Sequence, residues 1–279
     1  MDLRKIRAGL IAHQRMQFKL TLSAQASATR IPFNYPYLLT GWLYKLLANA
    51  DGEYAQFLHQ HGYRTDRKTF RLFTFSDLRM QGYEVRPREG CFVLTSPIVN
   101  WTLSFYVDQA AEAFIQGLFM DQHLTLTNRR FHADLTIDRV ETLPLPPVSN
   151  VLTLRTLSPV VVAEKDNTGM DQYLHPADEA FGPLLLGNLI DKYRSANPDA
   201  PQPNLADFEY ELLTDPKRIR SRLVTIKEGS REETKVRGWY GFDFNLHGPA
   251  DVLEAGLLAG VGRYGAEGFG CVGLNQSLS

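Results

Sequence analysis

The spacing of apolar residues in the first half of the chain predicts alternating strands and helices. Apolar and polar residues alternate in MQFKLTLSAQ (16–25), which is typical of a half-buried strand. YPYLLTGWLYKLLANA (35–50) repeats its leucines at helical spacing instead, and a second short helix is predicted over 52–62. The other predicted elements are strands at 70–78, 91–107 and 131–141, and a helix at 108–120 with Asp108 as its N-cap.

The second half repeats this order of elements after a proline-rich segment, LPLPPVSN (143–150), which is predicted to be an extended linker. Its predicted elements are a strand at 151–158, a helix at 177–196, strands at 208–214 and 238–246, a helix at 249–259 and a strand at 270–276. Each half follows the order β-α-β-β-α-β. The pattern therefore predicts an α+β protein of two tandem ferredoxin-like (RRM-like) domains, residues 1–145 and 146–279. Many unrelated proteins share this layout, so the fold alone assigns no function.

Composition excludes some classes of protein and leaves others open. The chain has 30 basic and 31 acidic residues, so its net charge of −1 does not indicate a nucleic-acid-binding protein by itself. No apolar run approaches the roughly 18 residues that span a bilayer, and the N-terminus lacks the apolar region of a signal peptide. We therefore expect no membrane association and a cytoplasmic location. Cys91 and Cys271 lie in apolar, strand-like segments and are predicted to be buried free thiols.

One short segment concentrates positive charge. PKRIRSRL (216–223) carries Lys217, Arg218, Arg220 and Arg222 without an acidic residue. In a strand the three arginines would share one face, opposite Ile219 and Leu223. Such a face is either a solvated edge strand protected by charge or a phosphate-binding surface, since guanidinium groups match phosphate oxygens. The segment alone does not decide between them.

The glycine-rich stretch GVGRYGAEGFG (260–270) begins with G-x-G-x-x-G, the pattern of dinucleotide-binding turns. Those turns follow a strand and open a helix, whereas this stretch follows the predicted helix 249–259 and precedes the predicted strand 270–276. The order argues against a nucleotide-cofactor site. The glycines make either a tight helix-to-strand connection or a backbone surface that approaches a phosphate-bearing partner.

Several segments together resemble a known family. Gly260 and Gly262, followed by Gly268-Phe269-Gly270, match the glycine-rich motif of the repeat-associated RNA-binding (RAMP) proteins of CRISPR systems. IPFNYPYLLTGWLYKLL, EYAQFLHQHGY and FRLFTFSDL resemble the first domain of the CRISPR-associated endoribonucleases that process pre-crRNA, the Cas6 family. TLSPVVV, DQYLHPADEAFGPLLLGNLIDKY and DPKRIR resemble the second domain. The resemblance covers the chain from about residue 16 to 276.

This resemblance implies an activity and partners. Members of the family have two ferredoxin-like domains, bind the repeat of a long CRISPR transcript and cut it once per repeat without a metal. The 2′-hydroxyl attacks the adjacent phosphate and leaves a 2′,3′-cyclic phosphate and a 5′-hydroxyl. The expected partner is CRISPR repeat RNA in pre-crRNA, with other Cas proteins of an effector complex as a further class of partner. No cofactor is expected.

Such a reaction needs a group that moves protons near neutral pH, for which histidine is best suited. His59 lies off the apolar stripe formed by Tyr54, Phe57 and Leu58, so it is predicted to face outward. His61 falls on that stripe and is predicted to be a packed or helix-end residue. Two residues apart on a helix, the two histidines point away from each other, so no metal site is expected there.

The resemblance assigns catalytic roles to particular positions. His59, in FLH, matches the catalytic histidine, and Tyr44, in GWLYKLL, matches the catalytic tyrosine. Some members place a lysine where this chain has Arg71, and Lys68 is close enough in sequence to substitute for it. An arginine still stabilises a phosphorane but donates protons poorly.

RNA-binding residues are predicted from the basic segment and the glycine-rich loop. The predicted set is Lys68, Lys217, Arg218, Arg220, Arg222, Gly260, Gly262, Arg263, Gly268, Phe269 and Gly270. His175 and Lys192 are predicted to be structural. Two other functions stay open: a repeat-RNA-binding subunit that does not cleave, and an enzyme that binds a nucleotide cofactor through GVGRYG.

Overall fold

A computed structural model describes residues 16–26, 28–65, 68–226 and 233–275, which form a mixed α and β protein. The elements of the first half are β1 Met16–Ala24, β2 Arg30–Pro32, α1 Tyr35–Ala50, α2 Gly52–Gln60, β3 Tyr63–Arg64, β4 Thr69–Phe70, β5 Phe73–Phe75, β6 Arg79–Met80, β7 Tyr83–Arg86, β8 Cys91–Leu94, β9 Ile98–Phe105, α3 Asp108–Met120, β10 His123–Thr127 and β11 His132–Leu143. Those of the second half are β12 Val151–Thr156, β13 Ala163–Lys165, β14 Asp171–Tyr173, α4 Phe181–Ala196, β15 Glu209–Leu212, β16 Arg220–Ile226, β17 Thr234–Tyr240, β18 Asp243–His247, α5 Ala250–Ala259 and β19 Val272–Leu274.

Each half has a central antiparallel sheet with the same strand order. The first sheet runs β10-β11-β1-β9-β5, and the second runs β15-β18-β12-β19. In chain order, the four main strands are β1, β5, β9 and β11 in the first half and β12, β15, β18 and β19 in the second. Without β10, the first sheet has the order fourth, first, third, second, and the second sheet has the same order when it is read from β19. Helices follow the first and third of these strands in both halves. The proline-rich segment between the sheets, residues 144–150, contains no helix or strand.

The two halves share residues of their hydrophobic cores. Phe70, Leu72 and Tyr106 belong to the first half but pack in the core of the second. Ala266, from the glycine-rich loop, packs in the core of the first half. The segment around β4 and β5 and the glycine-rich loop are therefore the places where the halves join.

Most predicted elements are confirmed, and some of their bounds were wrong. The predicted strand 70–78 is broken into β4 and β5 because Leu72 has a positive φ of 55°, which interrupts the extended backbone. The predicted strand 91–107 is two strands, β8 and β9. The sequence pattern missed β10, which pairs with β11, and the hairpin of β13 and β14.

The cysteine prediction is confirmed, since Cys91 and Cys271 are both free and buried. Among the described residues, no helix has the length and apolar character needed to cross a membrane.

The strand predicted for the basic segment is partly wrong. Residues Pro216–Arg218 form a 3-10 turn, and the strand begins only at Arg220. Along β16, Arg222 shares its face with the buried Val224, whereas Leu223 is exposed. The predicted face of three arginines opposite Leu223 therefore does not exist.

Candidate active site

The second helix presents His59 at the surface because its ends and its buried face are well defined. Asp51 caps the helix, since its side chain accepts a hydrogen bond from the Tyr54 N–H at 2.9 Å. The helix stops where Gly62 takes a φ of +60°, and its N–H donates to the Phe57 carbonyl at 2.8 Å. Tyr54 and Leu58 are buried and His59 is exposed, so the predicted outward orientation of His59 is confirmed.

Tyr44 and His59 come together although 15 positions separate them. The ring of Tyr44, on α1, meets the ring of His59 edge to face, with 6.0 Å between the ring centres. The other side of Tyr44 packs against Phe73, with 6.1 Å between the centres. This packing holds the tyrosine ring at the boundary of the core, next to an exposed imidazole.

Arg71, which lies between β4 and β5, binds the end of α2. Its Nε donates to the Leu58 carbonyl at 3.0 Å, and one terminal nitrogen donates to the His59 carbonyl at 3.1 Å. These carbonyls belong to the last turn of a helix and lack helical partners, so a cation is favourable there. Arg71 therefore fixes the backbone that carries His59.

The electrostatic environment keeps the Tyr44 hydroxyl protonated. Burial raises the pKa of Tyr44, and the Glu267 carboxylate raises it further, whereas the Arg71 guanidinium opposes the rise. The net effect is a pKa above the ordinary tyrosine value. Tyr44 is thus suited to donate a hydrogen bond near neutral pH and poorly suited to act as a base.

These three side chains line one cavity of about 700 Å³. Its walls are the outer face of α1, the end of α2, strand β10, Glu267 and Ile226. Two further basic residues, Lys45 and His123, also line it, and sequence reasoning missed both. Lys45 follows Tyr44 directly and could have been suspected, but His123 lies on the strand that the pattern did not predict.

The structure does not place Lys68 in this cavity. Its Nζ lies 2.6 Å from a carboxylate oxygen of Asp191, on the opposite half of the protein. Lys68 lines a second cavity, between the halves, which Arg71 and Glu267 also line. Of the two candidates for the third catalytic position, Arg71 is therefore the one that reaches the histidine.

The glycine-rich loop is a buried connection. The N–H groups of Gly268 and Gly270 donate to the carbonyls of Gly265 and Pro159, at 3.1 and 2.8 Å. The Phe269 side chain is 1% exposed, and its carbonyl accepts a hydrogen bond from Thr74 Oγ1 at 2.9 Å. The contact of Gly268, Phe269 and Gly270 with RNA stays a prediction, and the packing does not favour it, because these groups are already engaged within the protein.

The rest of the loop is also held by protein contacts. Gly260 and Gly262 are buried, and a Cβ on Gly262 would lie 2.5 Å from the Val161 carbonyl oxygen. Arg263 donates to the Ala163 carbonyl at 2.6 Å and to Asp171 at 3.0 Å, so it joins the loop to the β13–β14 hairpin. The loop follows α5 and precedes β19, which is the reverse of a dinucleotide-binding turn.

The basic segment divides into two groups. Lys217, Arg218 and Arg220 are exposed, and none of them forms an ion pair with a residue in the described ranges. Arg222 points inward, where it lies 2.6 Å from Asp77 of the first half. The binding of RNA by Arg222 stays a prediction, and the structure does not favour it, since its guanidinium is engaged in an ion pair between the halves.

The prediction that Lys192 is structural agrees with its position. Its buried Nζ donates to the carbonyls of Ala259 and Gly260, at 3.2 and 2.6 Å, and so holds the end of α5. Burial lowers the pKa of Lys192 to about 7. His175, also predicted to be structural, packs its ring edge to face against Trp239, with 4.5 Å between the ring centres.

Comparison with known proteins covers nearly all of the chain. Residues 30–135 match the family model "CRISPR-associated protein Cas6, N-terminal", and residues 143–274 match "CRISPR associated protein Cas6, C-terminal". The chain is 29% identical over 259 residues to the CRISPR-associated endoribonuclease Cas6 of Pyrococcus furiosus, covering 92% of this chain and 89% of that protein. It is 28% identical over 263 residues to the CRISPR-associated endoribonuclease Cas6 1 of Methanocaldococcus jannaschii, covering 93% and 92%.

The fold agrees with these matches. The structure of a Cas6-related protein from Pyrococcus furiosus superposes with a TM-score of 0.79 at 21% identity, covering 94% of this chain and 99% of that one. Two consecutive family models, two relatives matched over almost their full lengths and a shared fold point to the same group of proteins. The chain belongs to the Cas6 family of CRISPR-associated proteins.

Proposed function

We propose that this protein is an endoribonuclease that cleaves CRISPR repeat RNA by attack of a 2′-hydroxyl on the adjacent phosphate, without a metal. Both curated relatives are named Cas6 endoribonucleases, and the match extends over nearly the whole chain. The observation that carries the proposal is the contact of Tyr44 with His59 on the wall of an open cavity, with Arg71 bound to the same helix end.

The three side chains suit the steps of this reaction. A new bond forms between the 2′-oxygen and phosphorus, the bond from phosphorus to the 5′-oxygen breaks, and a proton moves from the 2′-hydroxyl to the 5′-oxygen. His59 is exposed and transfers this proton. Tyr44, kept protonated, donates a hydrogen bond that orients the reacting groups, and Arg71 stabilises the extra negative charge on the phosphorane.

The decisive test is cleavage of repeat RNA in EDTA. His59→Ala should lower the cleavage rate by about 10²- to 10⁴-fold, the usual contribution of a proton-transferring side chain, while RNA binding stays within a few-fold. His61→Ala is the matched control, because His61 is an exposed histidine at the end of the same helix. The His61→Ala protein should cleave normally. Normal cleavage by His59→Ala would show that the site assignment is wrong. Tight repeat binding without cleavage by the unmodified protein would instead identify a non-cleaving RNA-binding subunit.

We also propose that Lys217, Arg218 and Arg220 bind the RNA backbone. They are exposed at the start of β16, and Ile226 at the end of that strand lines the catalytic cavity. Arg220 and Ile226 are six positions apart in this strand, which corresponds to about 20 Å. RNA that contacts both places would therefore cross the β16–β17 hairpin on its way to His59.

The shared strand order supports a further proposal about architecture. We infer that the two halves are tandem ferredoxin-like domains, residues 1–145 and 146–279, because each sheet places its first main strand between the third and the fourth. The glycine-rich loop then serves as a structural joint between these domains.

A further inference from the structure

The cavity between the two halves has the characteristics of a second binding site. It measures about 370 Å³, and Arg71 and Glu267 line both this cavity and the catalytic one. The two cavities are therefore adjacent, and the Arg71 side chain lies between them. A ligand pocket of this size lies at the small end of the usual range and suits a single planar group.

One residue that lines this cavity carries an unsatisfied polar atom. Asn188, on α4, is 9% exposed, and its Oδ1 is buried without a hydrogen-bond partner among the described residues. A buried acceptor without a donor destabilises the folded protein, so native proteins rarely keep one without a reason. A ligand with an N–H group would satisfy this amide.

The backbone around the cavity is also unusual. Three non-glycine residues in the described ranges have positive φ, and two of them, Leu72 (55°) and Tyr264 (64°), line this cavity. Such conformations are unfavourable and concentrate at binding sites, where they shape the surface. Here they bring the β4–β5 segment and the glycine-rich loop together around one space.

The chemistry of the lining favours a base over a phosphate. Phe70 and Tyr264 supply aromatic surface, and Lys192 and Asn188 supply hydrogen-bonding groups. Four cations line it, and all are engaged: Lys68 and Arg263 form ion pairs with Asp191 and Asp171, and Arg71 and Lys192 donate to backbone carbonyls. Little positive charge is left inside for a phosphate, whereas stacking surface with hydrogen-bond donors and acceptors is how proteins bind an extruded base.

We propose that this cavity receives one base of the RNA, from a nucleotide next to the scissile phosphate, and that the Asn188 amide hydrogen-bonds to the edge of that base. This inference rests on the proposed function, since it takes RNA as the substrate. The phosphate of the nucleotide stays at the rim near Arg71, which faces the catalytic cavity. The cavity thereby sets which base is accepted beside the cleavage point.

A double-mutant cycle between protein and RNA tests this role. Asn188→Leu is combined with repeat RNAs that lack the base at one position near the cleavage site, one position at a time. Asn188→Leu should weaken binding and kcat/KM for the intact repeat by about 3- to 10-fold, the value of one neutral hydrogen bond. At one position the loss of the base should abolish this difference between Asn188→Leu and the unmodified protein. Additive losses at every position would overturn the proposal.

Two controls separate this role from a structural one. Asn150→Leu makes the same substitution at an exposed position outside the cavity and should change nothing. Asn188→Leu should keep or raise the melting temperature, because it removes a buried acceptor that has no partner. A clear fall in melting temperature would show that Asn188 serves the fold, and the proposal would fail.

Two further arms keep the outcome independent of cleavage and identify the source of the base. The cycle is repeated by measuring binding in a His59→Ala background, so it gives a result even if the protein does not cleave. Ribonucleoside 5′-monophosphates are also titrated while the melting temperature is followed. If they stabilise the unmodified protein but not Asn188→Leu, and the RNA cycle is additive, the cavity serves a free nucleotide and the RNA proposal is overturned.

Discussion

Arg220 and Arg222 lie two residues apart in one strand, and the structure predicts opposite effects of the same substitution at the two positions. A terminal guanidinium nitrogen of Arg222 lies 2.6 Å from Oδ1 of Asp77. The same oxygen also accepts a hydrogen bond from the Tyr35 hydroxyl at 3.1 Å. The Arg222 guanidinium also lies over the Tyr240 ring, 5.9 Å from its centre. Arg220 is exposed and has no ion-pair partner among the described residues.

The expected size of the effect follows from burial. Removing one partner of a fully buried ion pair destabilises a protein by about 3–5 kcal/mol, because the other charge stays buried alone. The side chains of Arg222 and Asp77 are 28% and 27% exposed, so solvent screens part of this effect. We therefore expect Arg222→Met to destabilise the protein by about 3 kcal/mol, which lowers the melting temperature by roughly 6–12 °C in a chain of this size.

The assay compares Arg222→Met with Arg220→Met by thermal unfolding and by RNA binding at several salt concentrations. Arg220→Met should leave the melting temperature unchanged but weaken RNA binding. The salt slope, that is, the slope of the logarithm of the binding constant against the logarithm of the salt concentration, should become shallower by about one, the value of one phosphate contact. Arg222→Met should change the melting temperature instead, and its salt slope should match that of the unmodified protein. The reasoning is refuted if Arg222→Met melts normally and weakens RNA binding as much as Arg220→Met does.

Two more predictions concern the loop and the lysine that holds it. Burial lowers the pKa of Lys192 from the ordinary lysine value of 10.5 to about 7, so between these values the unfolded chain binds more protons than the folded protein. The free energy of unfolding should therefore rise with pH from about 7 to about 10.5, and the cost of burying this lysine is greatest below that range. Lys192→Met should flatten this rise in urea unfolding curves; parallel curves would contradict it. Gly270→Ala should lower the melting temperature far more than Gly90→Ala. Both glycines have positive φ, but a Cβ on Gly270 would lie 1.9 Å from the Val261 carbonyl oxygen, whereas the space at Gly90 is open. Equal melting temperatures of the two glycine variants would show that close packing at Gly270 does not matter.

His59, the proposed catalytic histidine, illustrates how far sequence periodicity reaches. The apolar stripe of Tyr54, Phe57 and Leu58 is enough to place His59 on the outer face of α2, since helix geometry is local. The same pattern could not show that the Tyr44 ring would meet it, because that contact depends on how α1 packs on α2. The match to the family's sequence motifs supplied this pairing before the structure did.

The glycine-rich loop and the basic segment show what local sequence patterns leave undecided. A glycine-rich loop and a run of arginines look the same in sequence whether they face solvent or the protein interior. Phe269 is buried, and the Thr74 hydroxyl that binds its carbonyl lies 195 positions away. The partner of Arg222 lies 145 positions away. No pattern within a short window contains those partners.

The sequence by itself determined the order of the helices and of the main strands, the buried thiols, the orientation of His59 and, through its motifs, the family. These properties depend on short-range periodicity or on the identity of residues within one segment. The tertiary structure decided that Arg71 reaches the His59 carbonyl while Lys68 pairs with Asp191, that the glycine-rich loop is a packed joint, and that Asn188 lines a cavity between the halves. Each of these depends on contacts between segments distant in the chain, whose positions follow from packing of the two cores.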